Sequence, residues 1–167
     1  MGLLQLWALP QAWAEDWLPV TREELAMTQD PKAPGAPAVY LYREVNRDDS
    51  GDSEDFYARI KILTEEGRER ANVHIAYGTA RDSIRSIRAR TIRPDGSIAN
   101  FDGTVYDRPV VSGQDSKWME KTFTLPDVQV GSIIEYRYRR QLAWMYIYDS
   151  HWILSDDLFT HSARFSL

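Results

Sequence analysis

From Ala38 onward the apolar residues recur every second position, and that spacing constrains the fold more than any other feature of the chain. A period of two sends alternate side chains to opposite faces of an extended strand, so a chain built this way has to pair strands into sheets. "VYLYREV" puts Val39, Leu41 and Val45 on one side. "FYARIKIL" puts Phe56, Ala58, Ile60 and Ile62 inward and Tyr57, Arg59 and Lys61 outward. After a turn carrying Gly67, "ANVHIAY" buries Val73, Ile75 and Tyr77 and turns His74 the other way, which predicts a hairpin over 56–77.

"SIRARTI" carries Ile87, Ala89 and Thr91 on one face, and "RPDGS" reverses it into "IANF". Pro94 presets φ for a turn and Gly96 tolerates a positive φ, so backbone sterics explain that motif without a binding role. Further strand candidates are "TVYDRPVV", "WMEKTFTL", "SIIEYRYRR" and "WMYIYDSHWIL". The expected fold is mainly β, an antiparallel β-sandwich or open barrel-like sheet with one short N-terminal helix.

That helix is signalled by the capping-box spacing of Thr21 and Glu24, with Leu25 and Met27 following. "TQDPKAPGAP" ends it with three prolines and a glycine. Upstream, "LLQLWALPQAWA" is a short apolar run closing on Ala12-Trp13-Ala14, the pattern of a leader-peptide core and cleavage site. Residues 1–14 therefore read as a signal-peptide remnant, 15–37 as a short helix and Pro-rich linker, and 38–167 as a β-sandwich domain. A secreted or periplasmic location is expected. The leader run is too short to span a bilayer, and no other segment is a membrane candidate. The final "THSARFSL" opens a strand with no evident partner, which suggests the front part of a longer polypeptide.

Composition excludes several chemistries. The chain of 167 residues contains no cysteine, which removes disulfides, thiolate metal sites and a cysteine nucleophile. With 20 Lys+Arg against 25 Asp+Glu, the net charge of -5 lacks the broad positive field that nucleic acid requires. The acidic stretch "NRDDSGDSEDFY" fails as a calcium loop: with Gly51 at the sixth position, Tyr57 stands where a bidentate Glu is needed. It reads as a solvated hairpin loop. His74, His151 and His161 share no metal-binding spacing, and there is no G-x-S-x-G elbow. No metal, cofactor or catalytic residue is assigned.

Arg81, Arg85, Arg88, Arg90 and Arg93 crowd one region, with Arg88 and Arg90 on a common strand face. Such strips are usually solvated and paired to neighbouring carboxylates, with phosphate recognition the alternative. The binding candidates are Trp144, Tyr146 and Tyr148, aligned on one face, with Trp152 in register beyond. That row either packs as core or between domains, or stacks on polysaccharide or peptide. A third possibility is a hydrolase using carboxylates such as Asp156 and Asp157.

The phrases "EELAMTQDPKAPGAPAVYLYRE", "YARIKILTEEGRERANVHIAY", "IRARTIRPDGSI" and "LPDVQVGSIIEYRYRR" run in order from about Trp17 to Trp152. In that order they resemble the domain of unknown function that precedes the transglutaminase-like core in many secreted bacterial proteins. The resemblance implies a β-sandwich N-terminal domain, a leader peptide, and a following papain-like domain whose Cys, His and Asp carry out acyl transfer or peptide hydrolysis. This sequence has no cysteine, so none of those catalytic roles transfers to a position here. The resulting expectation is a noncatalytic accessory domain that positions a downstream transglutaminase-like core or its substrate.

Overall fold

The computed structural model describes residues 17–112, 117–143 and 157–167. The two-residue period produces nine strands within those ranges: β1 (Ala38–Asp48), β2 (Ser53–Ile62), β3 (Asn72–Gly78), β4 (Asp82–Ile92), β5 (Ile98–Asn100), β6 (Tyr106–Ser112), β7 (Lys117–Thr124), β8 (Ile133–Leu142) and β9 (Ala163–Ser166). One helix, α1 (Arg22–Ala26), precedes them. A six-stranded sheet runs β5-β4-β8-β2-β1-β9 and a three-stranded sheet runs β3-β7-β6, giving a sandwich-like fold with no closed barrel. All pairs are antiparallel except β1 with β9.

Between the sheets lies an apolar core. Ala58, Ile60, Ala89 and Ile134 from the large sheet face Val73, Ile75, Tyr77 and Phe123 from the small one. The Phe123 ring meets Phe101 at 5.0 Å and turns its edge to Tyr136 at 6.5 Å. Offset and edge-on arrangements of this kind are the favourable ones for aromatic pairs.

The outer face of the large sheet is also covered, and this differs from the expected outward turn of Tyr57, Arg59 and Lys61. All three do face away from the sandwich core, yet they are 8%, 3% and 0% exposed. The cover is the segment from Trp17 to Ala36. Its Val20, Leu25, Met27, Ala33 and Ala36 pack on Val39, Leu41, Leu63, Ile92 and Ile133. Both halves of the capping box form, with the Glu24 amide donating to Thr21 and the Thr21 amide to the Glu24 carboxylate.

Three further expectations need correction. The 56–77 hairpin does not exist: β2 pairs with β1 and β8, while β3 pairs with β7 in the other sheet. A 3-10 turn at Glu66–Ala71 carries the chain across, with Gly67 pressed against Pro37 so closely that a Cβ there would lie 2.0 Å from the Pro37 carbonyl oxygen. Val45 is not on the side of Val39 and Leu41. A bulge at Leu41 shifts the register between Tyr40 and Tyr42 and sends Val45 to the sandwich side opposite Phe56. Finally, the last strand has a partner, since β9 lies parallel to β1 with Arg43 opposite Ala163. The "RPDGS" reversal is a β4–β5 hairpin as expected, with Gly96 at φ 84. Among the described residues no helix is long and apolar enough to cross a membrane.

Candidate functional site

The most concentrated polar chemistry lies on the outer face of the large sheet, where β2 and β8 pair Arg59 with Glu135 and β4 sets Arg90 against the same carboxylate. Glu135 is 0% exposed. It accepts from Arg59 Nε at 2.7 Å, from Arg90 Nε at 2.5 Å and from the Tyr57 hydroxyl. A buried carboxylate is tolerable only when its lone pairs are satisfied in this way. Burial and the adjacent Glu135 charge push the Tyr57 phenol far up, so it remains a donor.

The remaining guanidinium donors of Arg59 tie down the N-terminal segment. Nη2 donates to Leu18 O at 2.5 Å, and Nη1 donates to Pro19 O and Glu24 Oε1, both at 3.0 Å. Two residues along β2, Lys61 donates to Leu25 O of the same segment at 2.8 Å and to Gly131 O at 2.6 Å. Among the described residues no carboxylate bonds its ammonium, and burial pushes its pKa down to about 8 against a smaller opposing pull from Glu24. Trp17 closes the cluster by stacking on Arg90 at 4.8 Å and on Arg137 at 5.9 Å. Arg59 and Lys61 thus bond Leu18, Pro19, Glu24 and Leu25 of the N-terminal segment to a face organised around Glu135, so the cluster acts as a clasp.

A second feature is an open cleft of about 750 Å³ at the small sheet, lined among others by Arg70, Asn72, His74, Tyr106, Arg108 and Thr122. Its groups donate and accept hydrogen bonds and include one exposed phenol, Tyr106 at 62%. The sequence reading missed the cleft because its lining comes from β3, β6, β7 and the 3-10 turn, which are far apart along the chain.

The sequence-derived candidates are scattered. Trp144, Tyr146, Tyr148 and Trp152 lie outside the described residues, as do His151, Asp156 and the leader run. Asp157 pairs with Arg70 at 2.6 Å. His74 meets Glu120 at 3.3 Å on the exposed side of β3 in the small sheet, whereas His161 bonds Asp30 beside β1 of the large sheet. In the acidic loop, Asp48 accepts from the Ser50 and Gly51 amides at 3.0 Å, a hairpin-tip arrangement. Among the described residues no group of three or more His, Asp or Glu could hold a metal ion. Of the arginine strip, Arg90 joins the buried cluster and Arg93 bonds Asp127.

No curated protein matches the chain. Its fold is similar to the crystal structure of a proposed protease from Parabacteroides distasonis, at a TM-score of 0.50 and 16% identity, over 62% of this chain. The aligned region spans only 23% of that longer protein. A family profile matches residues 48–165, most of the chain from the β1–β2 hairpin onward. The protein therefore belongs to the DUF3857 family, a domain of unknown function with a solved structure.

Proposed function

We propose that the chain is a noncatalytic accessory domain of a secreted or periplasmic transglutaminase-like protein, which packs beside the catalytic core and positions it or its substrate. The observation that carries this reading is that the same fold occupies 23% of a much longer proposed protease. A strand-built unit that recurs as a minor part of such a chain supplies surface and rigidity to its neighbour. The clasp around Glu135 supports the same reading, because its titratable groups are spent on internal bonds. The end of the leader-like run at Ala12-Trp13-Ala14 supports export, with Glu15 as the first mature residue.

The test is to read the coding sequence past Leu167 and assay the full-length product with and without this domain. A downstream segment bearing Cys, then His and Asp, with peptide hydrolysis or acyl transfer that falls when residues 17–167 are deleted, is the expected result. A stop codon directly after Leu167, or turnover by residues 17–167 alone, overturns the proposal.

A further inference from the structure

The open cleft at the small sheet is floored by three strands in register. His74 on β3 and Tyr106 on β6 both lie opposite Thr122 on β7, and Ala76 and Arg108 both lie opposite Glu120. Val73, Ile75 and Phe123 face the core, so alternation turns these two rows, and Trp118 with them, to the outer face. Tyr106 and Trp118 are 62% and 42% exposed there. Because Tyr106 is level with Thr122, four residues along β7 from Trp118, the two rings stand roughly 14 Å apart along the strands, one at each end of a polar floor.

The core fixes the shape of the cleft. Its volume of about 750 Å³ falls in the ordinary range of small-molecule sites. One wall is the segment after β5, where a Cβ on Gly103 would lie 2.8 Å from the Phe101 ring. Phe101 packs in turn on Phe123 at 5.0 Å, which anchors that wall in the sandwich.

The lining has no sign. Its carboxylates Glu66 and Glu69 are matched in number by the guanidiniums of Arg70 and Arg108. Several of its groups are taken: His74 meets Glu120, Arg70 pairs with Asp157, and Asn72 accepts from the Thr124 hydroxyl. Among the described residues the hydroxyls of Thr104, Tyr106 and Thr122 are not bonded to any other group. A hydroxyl both donates and accepts, so three of them suit a ligand that is itself uncharged and rich in hydroxyls. The exposed rings add flat apolar surface for the C–H face of a pyranose.

We propose that this cleft binds a neutral oligosaccharide, which lies along the strands from Tyr106 toward Trp118. A peptide fits less well. It would extend the sheet through its main chain at the outer edge of β6, where Pro109 has no N–H to give a ladder. Nucleic acid lacks the positive field it needs. The site lies within this chain, so it stands whether or not a catalytic core follows.

The experiment titrates the full chain by isothermal calorimetry with cellohexaose, chitohexaose and laminarihexaose, and with an uncharged peptide of repeated Ser-Thr-Gly. Saturable binding of at least one hexasaccharide is expected. Y106A should weaken it about tenfold through the loss of a stacked ring. T122V should weaken it about fivefold by leaving a sugar hydroxyl unmatched. The melting temperature of Y106A, a change at an exposed side chain, is expected to stay near the native value, which separates a lost contact from a lost fold. Absence of binding by all three hexasaccharides overturns the proposal. So does equal affinity in both Y106A and T122V, or tighter binding of the peptide than of any sugar.

Discussion

Replacing Glu135 with Ala removes the carboxylate that three side chains share. In the native fold it accepts from Arg59 Nε at 2.7 Å, from Arg59 Nη2 at 2.6 Å, from Arg90 Nε at 2.5 Å and from Tyr57. Arg59 is 3% exposed and cannot be rehydrated without opening the N-terminal segment. Removing one partner of a buried ion pair costs about 3–5 kcal/mol, since an uncompensated charge is left behind. For a chain of this size that corresponds to a fall in Tm of about 2–4 °C per kcal/mol, or roughly 6–20 °C in all. Urea unfolding of E135A followed by far-ultraviolet circular dichroism reads the loss directly. E135Q, which keeps the shape and removes the charge, should lie between the two. Adding R59M to E135A should recover part of the stability, and only part, because Arg59 also holds Leu18, Pro19 and Glu24. A loss below about 1 kcal/mol in E135A, the scale of a solvated surface pair, would refute the claim that this cluster excludes water.

Lys61 gives a pH signature. Its folded pKa of about 8 lies below the ordinary lysine value, so the unfolded chain binds the extra proton between about pH 8 and pH 10.5 and stability rises across that window. The slope, at most about 1.4 kcal/mol per pH unit, should vanish in K61M when urea midpoints are compared at about pH 7.5 and 9.5. Gly67→Ala should cost at least the upper end of the about 1–3 kcal/mol typical of overpacking, because its Cβ meets the Pro37 carbonyl oxygen. Gly96→Ala, with nothing within 4 Å but a φ of +84, should cost only about 1–2 kcal/mol. Thermal melts distinguish the two. Thr21→Ala should loosen the N-terminal segment by about 1 kcal/mol, visible as faster amide exchange at Glu24.

Strand existence was legible because alternation is a local property, and the β4–β5 reversal was legible because Pro94 and Gly96 encode turn geometry on their own. What the sequence concealed is long-range. "ANVHIAY" looks equally able to pair with β2 or to join another sheet, and the choice rests on Gly67 fitting beneath Pro37. Arg59 and Lys61 were read as solvent-facing because charged side chains normally are. Only the docking of Trp17–Ala36 converts that face into an interior, and no local period announces it. The cleft at β3, β6 and β7 was invisible for the same reason, being assembled from segments far apart in sequence. The capping box, by contrast, was readable from four consecutive residues and formed as written.

The bulges at Leu41 and beside Ser86 act as phase switches within their strands. Each inserts a half-period, so that one strand is read in one alternation before the bulge and in the opposite alternation after it. Losing a single residue at either point would therefore invert a whole stretch of side chains, placing Val45 or the Arg85 guanidinium in the wrong compartment. The hairpin tip at residues 49–52 lies outside both ladders and carries no such phase. Length variation among relatives should accordingly accumulate at that tip and be purged at Leu41 and Ser86, even though all three lie in the same sheet.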